Sequence, residues 1–289
     1  MTSQHKKLLI LGYGYLNTAR QLSSDLFKHS SLLNSYNHHV YLSILCYRSS
    51  LSLYGLTPLE ECESRLALGE VLYGFTTELS DAEFVISRGL SKASESDSLL
   101  PYLFRFYNLH IQLSVIRSSK FANSLLRRAL REAERKGCKE WIYHFLLLSA
   151  RLSSSINAIN FLKQIVDLSF KNADLEVFDI ARIELARSYA LVGDWSKVSQ
   201  ILHDVEASLG YVGGEGEQSS ANILTGSRKY VLLYDLILRC VLAGRQLDAE
   251  LAKDRLKEVH LIIDKMNDNY SESFKVSFLL NILKTGIYF

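Results

Sequence analysis

Apolar residues recur at three- and four-residue spacing along nearly the whole 289-residue chain, and period-two alternation is almost absent. That spacing predicts amphipathic helices, most of them 15 to 20 residues long. Short polar breaks separate them at 28–32, 56–59, 78–80, 96–100, 117–119, 137–138, 153–155, 171–173 and 193–194. Helices of this length alternating with short turns are the layout of stacked antiparallel helix pairs.

An internal repeat underlies the alternation. Four segments carry a small or short apolar residue, a larger one four positions later, and a small or β-branched one three after that. They are Ala82-Ile86-Gly89, Ala122-Leu126-Ala129, Ala158-Leu162-Ile165 and Val198-Leu202-Val205, with first members 40, 36 and 40 residues apart. Ala252-Leu256-Val259 is a weaker fifth set. The preceding helices carry Leu68-Gly69 with Leu72, and Leu185-Ala186 with Tyr189. A Leu-small-x-x-Tyr helix followed by an Ala-x-x-x-Phe-type helix is the tetratricopeptide (TPR) pattern. Small residues let helix axes approach where they cross, and large ones fill the grooves between.

The expected fold is therefore all-α, a TPR-like helical-repeat superhelix (α-solenoid). Its expected divisions are an N-terminal helical pair over 1–56, the array over 57–209, a Gly/Ser-rich flexible loop over 210–222, and a further pair over 223–289 that begins another repeat. The last expected helix, 271–289, ends on apolar Ile287-Tyr288-Phe289 where a solenoid wants a polar cap. A partner covering that end, or a longer natural chain, would account for it.

Composition sharpens the class. Only Pro58 and Pro101 occur in 289 residues, as an almost wholly helical chain requires. Four scattered cysteines with no C-x-x-C pair argue against a disulfide framework or a zinc ribbon. The apolar start at Leu8–Leu11 breaks at Gly12, too short for a signal peptide, and no stretch of 18 apolar residues exists. The chain reads as a protein of a reducing compartment, with no membrane partner.

Catalytic patterns are weak. Gly12-Tyr13-Gly14 lacks the third glycine and the preceding strand of a nucleotide loop, and reads as a loosely packed helix start. His38-His39 diverge by about 100° on a helix and do not aim at one metal. Glu60, Glu61 and Glu63 follow Pro58 at a helix start, where acids suit the macrodipole. No hydrolase nucleophile motif occurs. No enzyme activity, cofactor, metal or small-molecule substrate is expected.

Charge is near balance overall, at 33 basic against 31 acidic residues, but unevenly placed. From 60 to 97 there are nine acids and three bases; from 117 to 139, eight bases and two acids. Arg127, Arg131 and Arg135 line one helical face, with Arg128 beside them, as a solvated outer face or as a docking stripe for phosphate or an acidic peptide. TPR arrays bind extended peptides on the surface made by the first helix of each pair. Counting from the signature, the inward positions there hold Glu70, Tyr73, Tyr107, Tyr143 and Arg187. Tyrosines there supply amphipathic contact area at low entropy cost, or else some of these residues simply pack between helices.

The run Glu61 to Tyr73, ECESRLALGEVLY, followed by Thr76-Thr77, Asp81-Ala82 and Leu90, resembles the TPR subunit of the cohesin loader. The tryptophan helix Glu140 to Leu148 and the Glu184-Leu-Ala-Arg-Ser-Tyr189 helix extend the likeness, which covers about 41–209. The resemblance implies a non-catalytic, nuclear and chromatin-associated protein, present also in the cytoplasm. Its implied partner is the extended N-terminal segment of the large HEAT-repeat loader subunit, and through it cohesin and chromatin. A generic TPR adaptor in another complex and a basic-surface nucleic-acid binder are the competing readings.

Overall fold

The computed structural model describes residues 4–26, 29–209 and 227–267. The expected loop over 210–222 and the expected helix over 271–289 lie outside the described residues. Among the described residues there are twelve α-helices and no strand. They are α1 (Gln4–Asp25), α2 (Leu33–Leu51), α3 (Pro58–Phe75), α4 (Leu79–Ala93), α5 (Leu100–Arg117), α6 (Ser119–Lys136), α7 (Lys139–Leu152), α8 (Ser155–Lys171), α9 (Leu175–Val192), α10 (Trp195–Leu209), α11 (Ser227–Arg245) and α12 (Ala249–Asn267). Each described polar break falls between helices or at a helix end.

The local chemistry explains the boundaries. Thr57 caps α3: its hydroxyl accepts from the Glu60 amide, and the Glu60 carboxylate accepts from the Thr57 amide at 3.0 Å, with Pro58 just inside. The cluster Glu60-Glu61-Glu63 is thus largely helix-start chemistry, with Glu61 also paired to Arg65 one turn on at 2.7 Å. Gly137 and Gly193 end α6 and α9 in the left-handed region, at φ of 67° and 82°.

The chain forms two compact units, Met1–Phe145 and Leu146–Phe289. In the N-terminal unit α1 packs on α2, α3 on α4 and α5 on α6, while α3 also touches α5, the first helix of the next pair. In the C-terminal unit α9 packs between α8 and α10, α10 meets α11, and α9 touches α11 by the same rule. Within each unit this is the stacking of an α-solenoid.

The repeat signature marks the crossings. Ala82, Ala122, Ala158 and Val198 are all buried, as are Ile86, Leu126, Leu162 and Leu202 four residues on. Gly69 and Gly89 show why small residues are needed. A Cβ on Gly69 would sit 2.9 Å from Ile86 Cγ1, and one on Gly89 would overlap the Phe106 ring. The weaker fifth set is looser: Val259 is buried, Leu256 is exposed. Gly12 is not a loose helix start. It lies mid-helix in α1, where a Cβ would come 2.6 Å from Tyr47 of α2.

Candidate binding face

The five inward positions divide. Glu70 is exposed on α3, and Tyr73 and Arg187 are half-buried. Tyr107 and Tyr143 are only 4% and 9% exposed, so their rings pack between helices rather than line an open surface. Burial pushes the Tyr107 phenol above its ordinary pKa, with Arg128 opposing. Arg187 Nε donates to Glu184 Oε2 one turn earlier at 3.0 Å.

What the first helices of the N-terminal unit do present is a row of polar contacts, each joining one helix to its counterpart a repeat later. Tyr102 Oη donates to Glu63 Oε1 at 3.0 Å across a separation of 39 residues. Arg105 Nη2 donates to Glu70 Oε1 at 2.9 Å across 35. His144 Nε2 lies 2.9 Å from Asn108 Oδ1 across 36, and an amide oxygen only accepts, so the imidazole donates. Gln112 Nε2 reaches the same oxygen at 3.4 Å. Burial and the Glu63 carboxylate together push the Tyr102 phenol up to about 12, keeping it a donor. These residues span α3, α5 and the first half of α7, whose Trp141 and Phe145 pack against Phe104.

Arg105, Asn108, Gln112 and His144 were not legible as a site in the sequence. The available signal was Arg105, Asn108 and Gln112 recurring at helical spacing within the largely apolar α5. On the second helices, Arg127, Arg128, Arg131 and Arg135 are all exposed on α6, as the stripe requires, and Arg135 pairs with Glu132. His38 is exposed and His39 half-buried, stacking on Tyr15 at 6.0 Å, a boundary position.

One constellation the sequence did not signal has the look of hydrolase chemistry. His5 Nε2 lies 2.9 Å from Ser64 Oγ, and His5 Nδ1 lies 3.8 Å from Glu60 Oε1. The same Nε2 is 3.0 Å from the Glu60 carbonyl oxygen. A carbonyl accepts only, so Nε2 carries the proton and cannot act as a base toward Ser64. Ser64 is also 0% exposed and accepts from Ser50 Oγ at 2.7 Å. The group is a polar lock between α1, α2 and α3. Among the described residues no cluster suits a metal, and no helix is long and apolar enough to cross a membrane.

No curated protein matches the chain. The model of the cohesin loading factor family matches residues 4–285, well beyond the 41–209 span on which the sequence motifs rest. An all-helical chain with helix pairs at this period, matched over nearly its full length, belongs to the cohesin loading factor family.

Proposed function

We propose that this chain is the non-catalytic TPR scaffold of the cohesin loader, and that its first-helix face seats the extended N-terminal segment of the large HEAT-repeat loader subunit. Family membership carries the role in cohesin loading. The observation that supports the seat is the polar row Glu63–Tyr102, Glu70–Arg105 and Asn108–His144, repeated at one-repeat spacing over α3, α5 and α7. Neighbouring helix axes lie about 8–10 Å apart. An extended chain advances about 3.3 Å per residue, so about three residues pass each helix. Glu70, Arg105, Asn108 and His144 then offer both signs of charge and both hydrogen-bond roles to a passing backbone. Tyr73 is a further contact of this seat, and Arg187 is a contact on the C-terminal unit's own first-helix face.

A disordered segment pays its ordering cost on binding and offsets it through a long contact surface. Through this pairing the protein acts in the nucleus, in sister-chromatid cohesion and chromosome segregation during the cell cycle. The test is titration of the large subunit's N-terminal segment into the full chain. Arg105→Ala, Asn108→Ala and His144→Ala together should lower affinity at least tenfold with unchanged helicity by circular dichroism. Unchanged affinity removes the face from the interface. Co-purification of a different partner in place of the large subunit would favour the generic adaptor reading.

A further inference from the structure

We propose that the outer face of α6 is a contact surface for the phosphate backbone of duplex DNA. Ala122, Leu126, Ala129 and Ala133 bury one side of this helix. The exposed side carries Lys120, Arg127, Arg128, Arg131 and Arg135 against one exposed acid, Glu134. Six other cations of the same unit sit beside carboxylates: Arg48 by Asp81, Arg65 by Glu61, Arg105 by Glu70, Arg117 by Glu83, Lys92 by Glu95 and Lys136 by Asp97. Arg127 and Arg131 form no ion pair among the described residues, so an anion can approach them without breaking one, while Arg128 also meets the Tyr107 phenol and the field of Glu132. Arg131 Nε instead donates to the Arg127 carbonyl oxygen at 3.3 Å.

The shape of the row selects the ligand. Arg127, Arg131 and Arg135 succeed one another by about 6 Å along the helix axis. No apolar seat interrupts them: Ser124 and Glu134 are the other exposed positions nearby, and Phe121 stands exposed only at the N-terminal end. A peptide partner needs side-chain pockets for its specificity, and this rod has none along the row. A duplex presents a regular lattice of about one charge per 1.7 Å and needs only guanidinium groups at the right pitch. A cohesin-loading protein works where that polyanion is abundant. The contact positions without reading sequence. It does not rest on the peptide seat, which lies on the first helices.

The experiment is fluorescence anisotropy of the full chain with a labelled short mixed-sequence duplex over a salt series. The Arg127→Gln, Arg131→Gln pair should weaken binding more than tenfold at about 0.1 M salt and flatten the log–log salt slope by about 1.8. The Arg127→Lys, Arg131→Lys pair should keep the slope. Lys163→Gln with Lys253→Gln, exposed on α8 and α12, should change the slope far less. Equal losses from that lysine pair of the C-terminal unit would show diffuse attraction and overturn the proposal. Polyglutamate binding as tightly as the duplex with the same arginine dependence, which points to an acidic peptide, would also overturn it, as would no duplex binding by the folded wild type.

Discussion

The N-terminal and C-terminal units join successive repeats by different means. In the first, two of the cross-repeat ion pairs are superficial: both partners of Glu70–Arg105 and of Arg48–Asp81 stand about half exposed. Such pairs contribute about 0–1 kcal/mol each. What fixes the crossing there is shape, with Gly69 against Ile86 and Gly89 against Phe106. In the second unit the corresponding positions hold Ala186 and the β-branched Ile165 and Val205, and the joint between α10 and α11 is polar and buried. Asp235, 1% exposed, accepts from Arg239 Nε at 2.7 Å. Arg239 Nη2 reaches the Leu202 carbonyl oxygen at 2.6 Å and Glu206 at 3.1 Å. Asp235 Oδ1 has no hydrogen-bond partner among the described residues. One repeat geometry is thus held by steric fit in one place and by a desolvated charge network in the other.

The largest test of that contrast is Arg239→Met. Removing the cation strands the buried carboxylate, and we expect a loss of about 3–5 kcal/mol. Adding Asp235→Leu should recover most of it, since well-packed apolar replacement of a buried pair is often neutral or better. The two tryptophans report the units separately: Trp141 lies in the first, and Trp195, with Arg245 stacked 4.8 Å from its ring, in the second. In a Trp141→Phe background, urea unfolding followed at Trp195 should show the loss. In a Trp195→Phe background, the Trp141 transition should not move. Equal shifts at both would mean the units unfold as one.

The next effect is a difference in sign with pH. Burial pushes Asp235 up to about 6, with Arg239 opposing. Its folded pKa lies above the unfolded value of about 3.9, so the native state holds the proton longer. The C-terminal unit should therefore lose on the order of 3 kcal/mol as pH rises from about 4 to about 6. In the N-terminal unit burial pushes the His110 imidazole below its ordinary value, with Glu83 3.9 Å away pulling the other way. Its folded pKa lies below the unfolded one, so that unit should weaken as pH falls below about 6.5. Urea midpoints of the two single-tryptophan proteins, measured from pH 4 to 7, should move in opposite directions. Asp235→Asn should abolish the first trend; parallel curves would refute the assignment.

Steric fit gives a smaller effect. Gly89→Ala or Ala122→Leu should overpack the N-terminal crossings and cost about 1–3 kcal/mol, read at Trp141. Phe106→Leu should relieve Gly89→Ala, because Gly89 lies against that ring. These positions were legible in the sequence because a helix crossing constrains residue size at a fixed period, and size and period are what a sequence displays. The helix breaks were legible for the same reason, through Thr57-Pro58, Gly137 and Gly193. Tyr107 and Tyr143 misled because counting from the signature fixes a residue's place along a helix only to within a turn. A 100° error on α5 exchanges an open position for a buried one. The Asp235–Arg239 network and the His5–Ser64 contact had no local signal at all, since their partners are brought together only by stacking.

The smallest expected stability effect carries the most information about function. Exchanging the partners, Glu70→Arg with Arg105→Glu, keeps the cross-repeat pair and its net charge while inverting the local dipole of the first-helix face. Because both groups are about half exposed, unfolding free energy should change by less than about 1 kcal/mol. If the face is only a solvated surface, partner affinity should be equally indifferent. If it seats an extended segment, the swap should weaken binding severalfold, since each inverted charge now meets the wrong neighbour on the segment. Single substitutions cannot make this separation: each breaks the Glu70–Arg105 contact and alters the face at once. The exchanged protein, titrated with the large subunit's N-terminal segment beside the wild type, isolates recognition from the contact that joins α3 to α5. An unchanged affinity would leave that contact as architecture and move the segment's path off these two residues.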